Sequence, residues 1–282
     1  MSKKILITGA NGFVGKNLKK FLSSRFNIVA CDKKKLDLLD RDKVGSFLKE
    51  EKFDVVIHTA TYDAAPQFST NDPNKVLEYN LRMFDNLVRY NFYYDKMIYF
   101  GSGAETRREN PYGMSKYFMD QAAQNKNNIY NLRLYSVYGV GTDWRYRFIN
   151  NACAKVALNM PITIPPLGEC DYLNINDLCR IVEYYITNPG EADSSEDICS
   201  GNVLSPNDIV EEIKSIVPVN DVLYYNKITS TVSRAKSSKN AYFGNPEFVN
   251  SLPFKLTSVS DGIEELIKFY GKNPPNPKEF VY

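Results

Sequence analysis

The chain has 282 residues, of which 43% are hydrophobic and 24% are charged, the proportions of a folded globular protein. Its 35 basic and 33 acidic side chains leave a formal net charge of +2, and the scattered lysines form no basic stripe, which disfavours a nucleic-acid-binding class. Five cysteines without a CxxC pair and a single histidine, His58, disfavour a metal site, and no stretch approaches the roughly 18 apolar residues that a membrane helix needs.

The first part of the chain alternates short apolar segments with segments of helical periodicity. We predict strands at residues 4–8, 27–31, 54–59, 97–100 and 131–134. We predict helices at residues 14–22 and 44–50, from residue 76 onward, and at residues 112–124. Strands that alternate with helices at this spacing pair in parallel, so the pattern predicts an α/β fold with a doubly wound parallel sheet.

The second part of the chain, beyond about residue 160, has a different pattern. Pro161, Pro165 and Pro166 interrupt the alternation, and helices are predicted at residues 175–186, 209–216 and, with Ser258 as the N-cap, 259–269. Residues 191–196 are predicted to form a polar loop, and residues 229–240 show no apolar periodicity. We therefore predict a domain at residues 1–160 and a smaller α/β region at residues 161–282, interleaved with the first.

A glycine-rich turn separates the first predicted strand from the first predicted helix in the sequence ITGANGFVG. Gly9 allows a tight turn, Gly12 lets the backbone approach a pyrophosphate, and Gly15 lets the helix pack closely. The N–H groups and the positive dipole end of the helix then face the phosphates. The pattern predicts a dinucleotide-binding turn with cofactor contacts from Gly9, Asn11, Gly12, Phe13 and Val14.

The end of the second predicted strand bears on the choice between NAD and NADP. Asp32 follows Gly15 by 17 residues, where a carboxylate accepts a hydrogen bond from the ribose 2′-hydroxyl of NAD. Three lysines follow at once, and a cation at Lys33 would hold the 2′-phosphate of NADP. The lysines favour NADP, with NAD as the alternative. Asp37, in LDLLD, is a candidate contact for the adenine amino group or a cap for the following helix, and Ala60 is a further predicted cofactor contact.

A candidate catalytic set follows the glycine turn. Tyr112 and Lys116, in PYGMSK, lie four residues apart near the start of a predicted helix and so project from one face. A phenol with a pKa near ~10 is a poor acid at neutral pH, and a neighbouring ammonium lowers that pKa. Ser102, at the end of the strand MIYFGS, is placed to bind a substrate carbonyl. We predict that all three residues are catalytic, and that Tyr112 and Lys116 also contact the cofactor, Lys116 through the nicotinamide ribose.

These segments carry a family resemblance. TGANGFVG, VVIHTAT, FGS and YGMSK, followed by RLYSVYG and DYLNINDL, resemble the extended short-chain dehydrogenase/reductase family of NAD(P)-dependent sugar-nucleotide enzymes over nearly the whole chain. The resemblance implies a Rossmann fold, a nucleotide-diphosphate sugar held under the C-terminal region, and a homodimer. We also expect a cytoplasmic protein, because the first apolar run is too short for a signal peptide and the thiols fit a reducing compartment.

The resemblance also suggests substrate contacts. Many relatives place an arginine where this chain has Cys170, and we predict that Arg234 and Lys236 bind the diphosphate in its place. Ser136, in RLYSVYG, is a further predicted substrate contact. Asn80 matches a family position that helps to shape the active site, with helix packing as its alternative role.

Departures from the family pattern narrow the chemistry. In the family's 4,6-dehydratases an Asp-Glu pair directly follows the active-site serine or threonine, whereas Gly103 and Ala104 stand there in this chain, and Glu105 lies one residue too far along. GDP-fucose synthases use a cysteine two residues after the serine and a distant histidine. This chain has Ala104 at the cysteine position, and its one histidine is His58 in a strand end. Elimination and fucose-type epimerisation are therefore disfavoured.

The remaining set can transfer a hydride and one proton. The leading hypothesis is NAD(P)H-dependent reduction of a nucleotide-diphosphate (NDP) 4-keto-sugar, in which Ser102 and Tyr112 polarise the ketone and Tyr112 protonates its oxygen. The alternative is an NDP-sugar 4-epimerase with tightly bound NAD, which uses the same set in both directions. A third hypothesis is a dinucleotide-sensing protein without turnover, which the presence of both Tyr112 and Lys116 disfavours.

Overall fold

The computed structural model of the chain describes residues 2–64, 69–188, 194–224 and 242–281. The strands in these ranges are β1 (Lys4–Thr8), β2 (Asn27–Cys31), β3 (Phe53–His58), β4 (Tyr94–Ser102), β5 (Ile129–Leu134), β6 (Ser136–Tyr138), β7 (Ile162–Ile164), β8 (Cys170–Asn174), β9 (Ser195–Ile198), β10 (Val203–Leu204) and β11 (Val222–Tyr224). The helices are α1 (Phe13–Leu22), α2 (Arg41–Glu51), α3 (Val76–Val88), α4 (Pro111–Ala123), α5 (Phe148–Ala157), α6 (Ile175–Thr187), α7 (Pro206–Ile216), α8 (Glu247–Ser251) and α9 (Val259–Lys272). None of the helices in the described part of the chain has the length and apolar character to cross a membrane.

A six-stranded parallel sheet forms the centre of the first compact unit, which comprises Met1–Leu134 and Cys179–Ile198. The strand order is β2-β1-β3-β4-β5-β9, and each neighbouring pair is parallel. The predicted doubly wound α/β sheet is therefore confirmed. The order reverses between β1 and β3, and sheets of this kind open a ligand crevice beyond the carboxyl ends of the strands at such a point.

The core of this unit combines central strands that are apolar on both faces with helices that are apolar on one. Leu6 of β1, Val56 of β3 and Met97 of β4 are fully buried in one cluster. Phe84 of α3 joins them and meets Tyr99 edge to face, with ring centroids 4.9 Å apart. Burial of each such side chain stabilises the fold by roughly 1.5–3 kcal/mol.

The second compact unit comprises Tyr135–Leu178 and Cys199–Tyr282. In a three-stranded sheet, β8 is parallel to β6 and antiparallel to β10. In a separate two-stranded sheet, β7 is parallel to β11. Helices α5, α7 and α9 supply an apolar cluster, and Ser258 caps α9 as predicted by accepting a 3.0 Å hydrogen bond from the Asp261 N–H. The chain passes between the units after residues 134, 178 and 198, so residue 160 lies inside the second unit. The functions assigned to the two regions stay predictions.

The secondary structure differs from the sequence prediction at several elements that were not predicted: β6, β7, β8, β9, β10, β11, α5 and α8. A physical reason can be given for two of them, β9 and α5. The polar loop predicted at residues 191–196 is wrong from Ser195 onward, because Ser195–Ile198 forms β9, the edge strand beside β5. Its polar side chains are accommodated because Arg133 of β5 binds both Ser195 and Asp197. Helix α5 was not predicted, because residues 148–155 are all buried and so lack the one-sided apolar pattern of a surface helix.

Candidate active site

The glycine turn that follows β1 lies against the chain that follows β3. Gly9 has a φ of +65°, which residues with a side chain rarely adopt. A Cβ at Gly9 would lie 2.6 Å from the backbone N and Cα of Ala60, and Thr59 Oγ1 donates a 2.6 Å hydrogen bond to the Thr8 carbonyl. A Cβ at Gly15 would lie 2.5 Å from the Gly9 carbonyl oxygen. The turn is therefore tight, and α1 packs directly against it.

Helix α1 begins at Phe13, directly after this turn. Gly12 is the N-cap, and no side chain caps the helix. A Cβ at Gly12 would meet the Gly9 carbonyl oxygen at 3.3 Å, which leaves the space beyond it open. Helix N-termini bind phosphate groups through their N–H groups and dipole. Gly12 and the start of α1 therefore fit the diphosphate of a dinucleotide.

A pocket of about 370 Å³ opens beside the glycine turn. Six of the predicted cofactor residues line it: Gly9, Gly12, Asp32, Lys33, Asp37 and Ala60. Asn11, Phe13 and Val14 lie in the turn and at the start of α1 but outside the lining. The mixture of acidic side chains with the apolar side chains of Leu36 and Leu38 fits the adenosine part of NAD(P).

Tyr62, Tyr79 and Met83 also line the pocket, although no sequence motif marks them. The rings of Tyr62 and Tyr79 meet edge to face, with centroids 4.9 Å apart. Tyr79 and Met83 lie four residues apart on α3, a spacing that indicates a shared helix face but not what that face contacts. The identity of these residues as pocket residues therefore comes from the structure.

Asp32, directly after β2, accepts hydrogen bonds from the main chain that follows it and from Asn11. Its Oδ1 accepts from the Lys35 main-chain N–H at 3.0 Å, and its Oδ2 accepts from Asn11 Nδ2 at 3.0 Å. The Lys35 N–H, and to a smaller degree Asn11, hold the pKa of the Asp32 carboxyl below its usual value. Asp32 is therefore a charged acceptor in the pocket at neutral pH, and Asn11 reaches the pocket through it.

Asp37 does not cap the helix that follows it. Its Oδ1 accepts from the Leu39 N–H at 3.0 Å, whereas Asp40 caps α2 by accepting from the Lys43 N–H at 3.1 Å. The prediction that Asp37 caps this helix is therefore wrong, because Asp40 occupies the N-cap position of α2. Asp37 lines the pocket instead.

The predicted catalytic residues lie at the end of β4 and the start of α4. Ser102 is the last residue of β4 and is 5% exposed. Lys116 Nζ donates a 2.7 Å hydrogen bond to the carbonyl of Phe100, two residues before Ser102. The same Nζ lies 5.6 Å from the centroid of the Tyr112 ring, and burial lowers the pKa of Lys116 to about 8. The structure thus brings Lys116 to Tyr112 and to the strand end that carries Ser102.

Glu105 is a buried acid beside Ser102. The Ser102 hydroxyl oxygen accepts from the Ala104 N–H at 3.2 Å and opens a short 3₁₀ turn, Gly103–Thr106. The Glu105 carboxylate in this turn accepts from the Ser102 N–H at 3.0 Å and completes a capping box. We did not predict a role for Glu105, but the Ser-x-x-Glu spacing of SGAE is the sequence signal of this motif.

Asn80 fastens the segment that follows β3. Its Oδ1 accepts from the Tyr62 N–H at 2.8 Å, and its Nδ2 donates to the Tyr62 carbonyl at 2.9 Å. The same Nδ2 donates to the Val76 carbonyl one turn earlier in α3. Asn80 is 2% exposed and does not line the pocket itself. It therefore shapes the pocket through Tyr62.

The predicted substrate residues outside the serine strand belong to the second unit or to residues that are not described. Ser136 is the first residue of β6, and Cys170 is the first residue of β8. Arg234 and Lys236 lie outside the described residues. The contacts of Ser136, Arg234 and Lys236 with the substrate stay predictions.

Comparison with known proteins places the chain in a family. A model of the NAD dependent epimerase/dehydratase family matches residues 5–201. The chain is 25% identical over 252 residues to the ADP-L-glycero-D-manno-heptose-6-epimerase of Cupriavidus pinatubonensis, a match that covers 73% of this chain and 75% of that enzyme. It is 36% identical over 86 residues to the GDP-L-colitose synthase of Yersinia pseudotuberculosis, a match that spans 30% of this chain and 28% of that enzyme.

A solved structure shares the fold. The GDP-mannoheptose C4 reductase of Campylobacter jejuni, with NADP bound, is 20% identical in sequence and superposes with a TM-score of 0.78. The superposition covers 96% of this chain and 98% of that one. The family model that matches residues 5–201 shows that the chain belongs to the NAD dependent epimerase/dehydratase family, within the extended short-chain dehydrogenases/reductases, and the strand order and the glycine turn agree with this.

Proposed function

We propose that this protein is an NAD(P)-dependent enzyme that reduces the 4-keto group of a nucleotide-diphosphate sugar. The observation that carries the proposal is the position of Lys116, whose Nζ is hydrogen-bonded to the Phe100 carbonyl and lies 5.6 Å from the Tyr112 ring centroid. This places a buried ammonium beside the candidate proton donor, at the strand end that carries Ser102. Membership of the family supports a sugar nucleotide as substrate.

Each residue of the set has a separate task in this proposal. The hydroxyl groups of Ser102 and Tyr112 donate hydrogen bonds to the C4 ketone oxygen, which polarises the carbonyl. NAD(P)H, when bound, supplies the hydride for C4. Tyr112 transfers its proton to the same oxygen, so the ketone becomes an alcohol and the tyrosine becomes a phenolate. The Lys116 ammonium stabilises that phenolate by its charge.

We propose NADP as the preferred cofactor, with NAD as the alternative. Lys33 lines the pocket and can pair with a 2′-phosphate, and the Campylobacter jejuni structure of the same fold contains NADP. Asp32 instead favours NAD, because a charged carboxylate repels a 2′-phosphate and accepts a hydrogen bond from a ribose hydroxyl. The homodimer and the cytoplasmic location stay predictions from the sequence.

An NDP-sugar 4-epimerase is the second candidate, because the same residues can remove a hydride and return it to the other face of the sugar. Similarity over 73% of the chain to a heptose-6-epimerase supports epimerisation of a nucleotide sugar, although that relative is named for position 6. The two differ in one respect that can be measured: a reductase consumes a stoichiometric reductant, whereas an epimerase retains its dinucleotide and needs none.

A product screen tests the proposal. The full-length protein is incubated with GDP-, ADP-, dTDP- and UDP-linked sugars and 4-keto-sugars, with and without NADPH or NADH, and the products are identified by mass spectrometry. Reduction predicts a gain of two hydrogens in a 4-keto-sugar with matching loss of reduced dinucleotide. Conversion of a sugar into its isomer without added dinucleotide would instead establish the epimerase.

Tyr112→Phe tests the assignment of residues within that reaction. The substitution keeps the ring and removes the proton donor, so turnover should fall by at least ~10²–10⁴-fold, the usual contribution of general acid catalysis. Ser102→Ala should lower turnover less, because Tyr112 still polarises the carbonyl. Dinucleotide affinity, measured by titration, should barely change in either variant. Near-wild-type turnover in Tyr112→Phe would remove this residue from the mechanism.

A further inference from the structure

A buried polar cluster lies behind the serine turn and has no task in the chemistry proposed above. We call it the serine-turn cluster, and its members are Glu105, Asp120, Asn131, Arg133 and Asp197. Glu105 stands at its centre: Oε1 accepts from the Ser102 N–H at 3.0 Å and from Asn131 Nδ2 at 3.4 Å, and Oε2 accepts from Arg133 Nε at 2.8 Å. One carboxylate thus joins the serine backbone to a half-buried arginine.

Arg133 connects this carboxylate to the far edge of the sheet. Its guanidinium pairs with Asp197 of β9 at 2.5 Å and lies 3.8 Å from Asp120 of α4, which accepts a 2.7 Å hydrogen bond from Asn131 Nδ2. Burial raises the pKa of the Glu105 carboxyl, and the pairing with Arg133 opposes that rise. Asp197 offers a natural comparison, because it pairs with the same arginine through a different guanidinium nitrogen, Nη1 rather than Nε.

Two glycines show how closely the cluster and its turn are packed. A side chain at Gly101, the residue before Ser102, would collide with the Glu105 carboxylate and the Asn131 amide. A side chain at Gly113 would collide with the main-chain carbonyl of Ala104 in the serine turn. Gly113 directly follows Tyr112, so the turn that Glu105 secures is in close backbone contact with the first turn of α4.

Glu105 also acts on the charge of the catalytic lysine. Among the described residues, the titratable groups that interact with Lys116 are Glu105 from the serine turn, Asp63 from the segment after β3, His58 at the end of β3, and Tyr112 on its own helix. Burial is the largest influence and lowers the pKa of Lys116, whereas the charges of Glu105 and Asp63 raise it. Burial also lowers the pKa of His58 to about 3, so that its ring is neutral in the working range.

We propose that Glu105 is a positioning residue, whose carboxylate holds Ser102 and the first turn of α4 in register for proton transfer. This inference rests on the proposed function, because it assigns Glu105 an effect on that reaction. Glu105 does not touch the reacting atoms in this assignment. It acts through the Ser102 backbone and the serine turn.

The test compares Glu105→Gln with Asp197→Asn, which removes a carboxylate from the other side of Arg133. Steady-state kinetics use NADPH and the fastest 4-keto-sugar of the product screen, at temperatures well below the Tm of each variant. Glu105→Gln should lower kcat about 10- to 100-fold with little change in either KM, as expected for misplaced catalytic groups. Its alkaline limb of kcat should move about half a pH unit or more to lower pH, because a charge that raises the pKa of Lys116 is lost. Asp197→Asn should lower the Tm but keep kcat and the alkaline limb.

Gly101→Ala provides a second variant that displaces the Glu105 carboxylate without removing its charge, and it should lower kcat in the same way. Equal kcat and pH profiles for Glu105→Gln and Asp197→Asn would overturn the inference. It would also be overturned if Glu105→Gln and Gly101→Ala both failed to fold while Asp197→Asn folded, since Glu105 would then be a structural residue. Tyr112→Phe is measured in the same assay, and wild-type turnover in that variant would reject the proposed function itself, whatever Glu105 does.

Discussion

Replacing Gly12 with valine should abolish dinucleotide binding and leave the protein folded. Gly12 has φ −74° and ψ 170°, an extended conformation that valine adopts readily, and its new Cβ would meet the Gly9 carbonyl oxygen at 3.3 Å. We therefore expect the free energy of unfolding to fall by less than about 1 kcal/mol, as for the exchange of one N-cap residue. The two methyl groups would instead occupy the space that a pyrophosphate needs beside the backbone.

Gly9→Ala is the matched contrast within the same turn. Alanine in the left-handed region costs roughly 1–2 kcal/mol. Its Cβ would also lie 2.6 Å from the main chain of Ala60, which cannot move away without disturbing the chain that continues from β3. A loss of about 2 kcal/mol corresponds to a fall in Tm of about 4–8 °C for a domain of this size. Gly9→Ala should therefore be the less stable of the two variants.

Thermal unfolding followed by circular dichroism gives the Tm, and fluorescence titration with NADH and NADPH gives the Kd. Gly12→Val should keep its Tm within about 2–4 °C of wild type. Its Kd for both dinucleotides should rise at least ~100-fold, or about 2.7 kcal/mol. Normal affinity for both dinucleotides would refute the assignment of the turn. A larger fall in Tm for Gly12→Val than for Gly9→Ala would refute the packing argument.

Three further predictions concern the first unit. Replacing Lys33 and Lys34 with alanine should weaken NADPH binding much more than NADH binding in the same titration, because a 2′-phosphate forms charge-assisted contacts with lysines. Equal weakening of both would show that Asp32 decides between NAD and NADP. Lys116→Met should raise the Tm at pH 7 although it abolishes turnover, because burial lowers the pKa of Lys116 to about 8 and the unfolded chain binds this proton more tightly. Wild-type stability then rises as pH increases from about 8 towards 10.5, so the difference in Tm between Lys116→Met and wild type should shrink over that range. A difference in Tm that stays constant would contradict the lowered pKa of Lys116. Asn80→Ala should raise the Kd of both dinucleotides up to about tenfold by releasing the two hydrogen bonds to Tyr62, and an unchanged Kd would show that Asn80 serves helix packing alone.

The features that the sequence by itself determined are those encoded in short spacings. The alternation of apolar runs with helical patterns predicted the parallel sheet, and the glycines of ITGANGFVG predicted the turn between β1 and α1. Tyr112 and Lys116 were placed on one helix face because they are four residues apart. Each of these features depends on neighbours along the chain, so local propensity and periodicity carry the information.

The tertiary structure decided what depends on residues far apart in the chain. The polar strand β9 exists because Arg133 binds Asp197, 64 residues away, and this pairing has no local pattern. Residues 148–155 of helix α5 are all buried, so they lack the one-sided pattern of a surface helix. Asp40, and not Asp37, caps α2, and Asp37 lines the pocket. Glu105 shows the same limit for its distant partners: the Ser-x-x-Glu spacing marks its capping box with Ser102, but no local pattern marks its hydrogen bonds with Asn131 and Arg133. Buried polar groups must find hydrogen-bond partners, and those partners are chosen by packing rather than by sequence distance.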